Sequence, residues 1–166
     1  MATNVNLLAS EIATALGAPV TPEIIGFSQA LLDEFTGNCT ATMNDYPTPH
    51  TMSGMDESRL ATNSAIAMGK AGQETDMTIK YCKGIIDHIQ NDGIVTYASK
   101  PPSSTVPPGE EWMNDGTISG LDGSAMASEI ESNVGAPFMS PKLIAKCSAI
   151  CDHIMTNAEV EEGVIS

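Results

Sequence analysis

The feature that most constrains this chain is that it repeats itself. Thr51-Met-Ser-Gly-Met-Asp-Glu-Ser-Arg-Leu-Ala61 lies over Thr117-Ile-Ser-Gly-Leu-Asp-Gly-Ser-Ala-Met-Ala127, 66 residues further on. Downstream, Cys82-Lys-Gly-Ile-Ile-Asp-His-Ile89 lies over Cys147-Ser-Ala-Ile-Cys-Asp-His-Ile154 at a spacing of 65. Two separate matches at nearly one offset mark a duplicated supersecondary unit. A third copy, lacking the leading segment, opens the chain: Ala9-Ser-Glu-Ile12 and Leu16-Gly-Ala-Pro19 match Ala127-Ser-Glu-Ile130 and Val134-Gly-Ala-Pro137. One inserted residue then restores register, so that Thr21-Pro22 meets Ser140-Pro141, Ala30-Leu31 meets Ala149-Ile150 and Asp33 meets Asp152. The units run over 5–38, 51–92 and 117–160 of a single 1–166 domain.

Each unit reads as a helical hairpin. In the third, Asp122 or Ser124 caps a helix whose apolar face is Met126, Ala127, Ile130 and Val134, and Gly135 with Pro137 stops it. Ser140 caps a second, longer helix with Pro141 at its first position, where a missing N–H is harmless. Its stripe of Leu143, Ile144, Cys147, Ile150, Cys151 and Ile154 follows helical periodicity. Copy two offers Thr75 or Asp76 as cap and Ile79, Cys82, Ile85, Ile86 and Ile89 as stripe. Copy one offers Thr21-Pro22, then Ile24, Ile25, Phe27, Ser28, Leu31, Leu32 and Phe35. The expected fold is mainly α: three repeated hairpins, about six helices, joined by Pro-rich linkers. A hairpin of this size cannot bury its stripe alone, so the units must share a core or pair with other chains.

The linkers differ in character. Residues 39–50 carry Pro47 and Pro49, and 93–116 carry Pro101, Pro102, Pro107 and Pro108, which excludes helix. Gly93–Tyr97 reads as a short strand and Cys39–Thr42 as a weaker one, so one or two strands are expected. The Ser-, Thr- and Pro-rich stretch 98–111 reads as a mobile loop or as an arm that orders on a neighbour.

Charge narrows the function classes. Seven Lys plus Arg against 21 Asp plus Glu give a net charge of −14, with Arg59 the one guanidinium. Nucleic acid and anionic membrane surfaces are therefore not expected as partners, and no apolar run approaches the roughly 20 residues that span a bilayer. The N-terminal residues show no secretory signal, so a reducing cytoplasm and free thiols are expected.

Several residues invite a chemical reading. The dyads Asp87-His88 and Asp152-His153 recur at equivalent places and suggest acid/base or metal chemistry. Their helical context favours an exposed polar face for contacts between molecules. Cys147 and Cys151 share a helix face and, with Cys82 and Cys39, could ligate zinc or cross-link subunits. Packed apolar thiols are the simpler expectation. Glu111–Asp122 has some calcium-loop offsets, but Met113 sits at a ligand position, and a turn leading into a helix cap fits better. The repeated Thr-x-Ser-Gly segment reads as a defined turn. Trp112, the one tryptophan, lies in a linker, where it either plugs a satellite core or anchors a partner. Phosphate loops, dinucleotide glycine patterns, Gly-x-Ser-x-Gly, His-Glu-x-x-His and paired Cys-x-x-Cys are all missing from the sequence. No enzyme activity, resident metal or cofactor is expected.

At segments 51–61 and 117–127 the chain resembles small structural proteins encoded in the particle gene clusters of tailed bacteriophages. The resemblance is confined to the repeat segments and transfers no functional residue. It implies a capsid, neck, tail or baseplate component present in many copies, located in the virion after assembly in the host cytoplasm. Its partners would be copies of itself and other particle subunits. Two rival readings remain: a small acidic helical protein that captures a basic partner, and a metal-dependent enzyme built on the Asp-His dyads and cysteines.

Overall fold

Local chemistry starts and stops the helices. Each opens on a side chain that accepts from the backbone N–H three residues on, satisfying a donor the helix leaves orphaned. The caps are Asn4 for α1 (Val5–Leu16), Thr21 for α2 (Pro22–Asn38), Asp56 for α3 (Glu57–Ala67), Thr75 for α4 (Asp76–Asp92), Asp122 for α5 (Gly123–Val134) and Ser140 for α6 (Pro141–Asn157). Pro22 and Pro141 fill the first helical position, and α1 and α5 end on left-handed Gly17 and Gly135. The computed structural model describes residues 2–42, 50–99, 114–135 and 140–166.

The six helices close on themselves. Consecutive helices pack from α1 through α6, and α6 packs back on α1. Large apolar side chains of the three longer helices, among them Leu31, Phe35, Ile85, Ile89, Ile150 and Ile154, are fully buried in one core. At the α4–α5 contact the approach is so close that a Cβ on Gly84 would strike the Ile130 backbone. Any larger residue there must push the two helices apart.

Six strands were placed at one end, where the sequence suggested one or two. They are β1 (Thr40–Ala41), β2 (Met52–Ser53), β3 (Ile94–Ser99), β4 (Asn114–Ser119), β5 (Val160–Glu161) and β6 (Val164–Ile165). They form an antiparallel sheet in the order β2-β1-β6-β5-β4-β3. The sheet curls until its ends meet: His50, just before β2, exchanges both backbone hydrogen bonds with Val95 of β3, at 3.0 and 2.9 Å. Along these strands Ala41, Met52, Val95, Tyr97, Ile118, Val160 and Ile165 are buried. Their neighbours Thr40, Ser53, Thr96, Thr117 and Val164 face solvent, the period-two pattern of a sheet with one covered face. Four of the six strands hold only two residues, too few for alternation to be visible in sequence.

The Thr-x-Ser-Gly segments are therefore not turns throughout. Met52–Ser53 and Thr117–Ser119 are strand, and only Gly54 (φ 109) and Gly120 (φ 85) turn the chain into the helix cap. Both glycines are required twice over, since a Cβ would also meet the carbonyl of Asn38 or Asp92. No helix among the described residues is long and apolar enough to cross a membrane.

Candidate functional site

The polar residues with chemical potential lie where one helix meets the start of another. A capping residue's own N–H has no partner within its helix, and at three places a buried side chain from a neighbouring helix accepts from it.

In the first, Glu34 of α2 takes the Asp56 N–H at 2.7 Å. Its carboxylate is gripped by both ends of the Arg59 guanidinium, Nε at 2.7 Å and Nη2 at 2.6 Å, and receives Asn38 Nδ2 at 3.0 Å. Arg59 also donates to the Gly54 carbonyl. This bidentate, charge-assisted pair has its carboxylate fully buried, and it holds the Arg59 pKa above its ordinary value.

In the second, His88 Nε2 of α4 accepts from the Asp122 N–H at 2.9 Å. An accepting Nε2 carries no proton, so Nδ1 carries it and faces Asp92 at 2.8 Å and Glu129 at 3.4 Å. Partial burial, and then the neighbouring Asp92 carboxylate, push the Glu129 pKa up.

In the third, His153 Nε2 of α6 accepts from the Asn4 N–H at 3.3 Å, and Nδ1 meets Glu11 at 2.7 Å. Asn157, one turn on, donates to the His153 carbonyl at 3.1 Å.

The sequence reading of the dyads needs correction here. Asp152 does lie toward solvent, whereas Asp87 is half-buried, paired with Lys83 at 2.7 Å and accepting from Asn133 Nδ2 at 3.3 Å. His88 and His153, expected on an exposed face, are each 1% exposed. The apolar stripe does not exhaust the buried face of α4: the helix is packed between α3 and α5, so the buried arc extends one position further to His88. The same holds for α6 between α5 and α1. Glu34 and Arg59 are site residues that the spacing of the dyads does not single out. The signal was present: aligning Asp33 with Asp152 places Glu34 opposite His153, and the chain's one arginine follows the Asp56 cap by three residues.

Chemically, the joints are better acceptors and tethers than reactive centres. Among the described residues, the one group of three ligand atoms within 4.8 Å of one another is His88, Asp92 and Glu129. These could take a divalent cation only if Nδ1 surrendered its proton. Cys39, Cys82, Cys147 and Cys151 are free and buried. Burial pushes their thiols up to about 12, 11, 11 and 12 respectively, which leaves little thiolate for nucleophilic, metal or exchange chemistry. The calcium-loop offsets of Glu111–Asp122 end in a paired strand, and Asp122 caps α5. Trp112 and residues 100–111 of the expected arm lie outside the described residues, while Ala98 and Ser99 end β3. No family model, curated protein or solved structure matches the chain.

Proposed function

We propose that the chain is a non-enzymatic structural or assembly component of a multi-subunit particle, a virion protein of a tailed bacteriophage, and that it is built as three copies of one helical hairpin arranged around an axis. The observation that carries this reading is the common construction of the three joints. Glu34, His88 and His153 hold corresponding places in the repeat, and each accepts from the cap of the helix that starts the next unit.

The strand registers support the same arrangement. Ala41 faces Met52, Val95 faces Ile118, and Val160 faces Ile165. The links between hairpins also correspond: His50 to Val95, Gly116 to Val160, and Gly163 to the Ala41 N–H. On this reading Val164-Ile165-Ser166 takes the place of the leading segment that copy one lacks. The buried polar groups of the joints hold units together, as expected of a building block. Three similar outer faces on one chain would suit a place where several partners meet.

Sedimentation across a wide concentration range, alone and with co-purified particle proteins, tests the proposal. Self-association or a stable complex is expected. A strictly monomeric species that binds no particle protein would overturn it. The charge of −14 keeps one rival alive, the capture of a basic protein, which would announce itself by binding that collapses with added salt.

A further inference from the structure

At the end of the helical ring away from the strands, the first turns of α2 and α4 and the last turns of α1 and α3 surround a cavity of about 270 Å³. Its wall is almost wholly apolar, with Ile12, Leu16, Ile24, Phe27 and Met68 contributing side chains. One cation faces it. Lys146 of α6 holds its Nζ 3.9 Å from the Phe27 ring centre and 5.0 Å from that of Tyr81.

Two observations mark this as more than a packing gap. Lys80 and Lys83 each pair with an aspartate four residues away on the same helix, at 2.9 and 2.7 Å. Half-buried Lys146 has no carboxylate within ion-pair distance among the described residues, in a chain with three times as many acids as bases. In addition Ser64, 2% exposed, belongs to the wall, and its buried Oγ has no hydrogen-bond partner among the described residues.

We propose that this cavity binds a medium-chain aliphatic monocarboxylate, with its carboxylate on Lys146 and its chain among Ile12, Leu16, Ile24 and Phe27. An apolar wall with a few convergent polar groups is the usual make-up of a small-molecule site. Charge complementarity selects an anion, because the cation at the wall is held against two rings and has no carboxylate within ion-pair distance among the described residues. Size selects the chain length. A cavity of roughly 150 Å³ accepts the six carbons of benzene, so this one takes on the order of ten heavy atoms, the count in octanoate. Glu23, the one carboxylate on the lining among the described residues, is fully exposed, and its charge is engaged by its own backbone N–H and by Thr21 at the start of α2.

The test is calorimetric titration of the full chain with octanoate and with octan-1-ol, alongside carbon-13 methyl spectra of Met68. Octanoate is expected to bind at least ten-fold more tightly than octan-1-ol and to shift the Met68 methyl. Lys146→Met, which keeps the length and apolar contacts of the side chain, should abolish that preference while leaving octan-1-ol binding unchanged. Leu16→Trp, filling the cavity, should abolish both. No octanoate binding by the wild-type chain up to millimolar concentration would overturn the proposal, as would equal binding of acid and alcohol, and neither outcome depends on a variant folding.

Discussion

The joints at Glu34 and at His153 perform one task with opposite chemistry. Both supply a buried acceptor to the N–H of a capping residue, Asp56 in one case and Asn4 in the other. Glu34 brings a full negative charge and needs a cation, which Arg59 supplies from three residues beyond the cap. His153 brings a neutral ring whose spare N–H needs an acceptor, which Glu11 supplies from seven residues beyond the cap. What the fold requires at this position is thus an acceptor of the right reach, and the charge is settled by whichever partner the next helix presents. A residue pair, not a single residue, therefore makes each joint.

The largest effect should come from breaking the charged version. Arg59→Ala leaves a fully buried carboxylate without its cation, and the largest loss of stability of these variants is expected in urea unfolding. Rebuilding the first joint on the pattern of the third should sharpen the comparison. The triple variant Glu34→His, Arg59→Ala and Asn63→Glu places a ring and a carboxylate at the positions they hold around His153, and should recover at least half of the Arg59→Ala loss in the same assay. No recovery would mean that the joints are alike only in outline.

The neutral version should be less costly to break. His153→Ala removes the acceptor for the Asn4 N–H but leaves Glu11 free to turn to water, so a loss of about 1–3 kcal/mol is expected from thermal unfolding.

The smallest effect concerns the second joint, which alone carries two carboxylates. The Glu129 pKa lies above its ordinary 4.5 in the folded chain. A raised folded value favours folding below the unfolded pKa, and that advantage is lost as pH rises through the folded value. At neutral pH the ionised Glu129 therefore weakens the joint. Glu129→Gln should raise the melting temperature slightly at pH 7, by a degree or two, and the gain should vanish below about pH 4.

Much of this was legible in the letters. The six helices, the Thr21, Asp122 and Ser140 caps, and nearly all of the buried stripe follow from spacing and turn chemistry, because those signals are local. The exceptions have physical reasons. Ile25 belongs by spacing to a buried stripe but is 38% exposed, since α2 has neighbours on only part of its circumference. The two-residue strands left no periodic trace, and they exist because chain segments leaving three helices meet and pair. The joints depend on which helices become neighbours, which is tertiary information. The tryptophan and the proline-rich arm gave the sequence its most suggestive binding features, and the described residues do not reach them.

The packing of α6 against α1 also bears on how the chain is made. Synthesis runs from α1 to α6, so the first helix emerges long before the surface that covers it. Until α6 leaves the ribosome, the apolar side chains of α1, Leu8 and Ile12 among them, have only part of their eventual cover. The nascent chain must wait with an open seam, exposed to chaperones and to other copies of itself. Seam closure is also the contact of greatest sequence separation between helices, and should set the pace of folding.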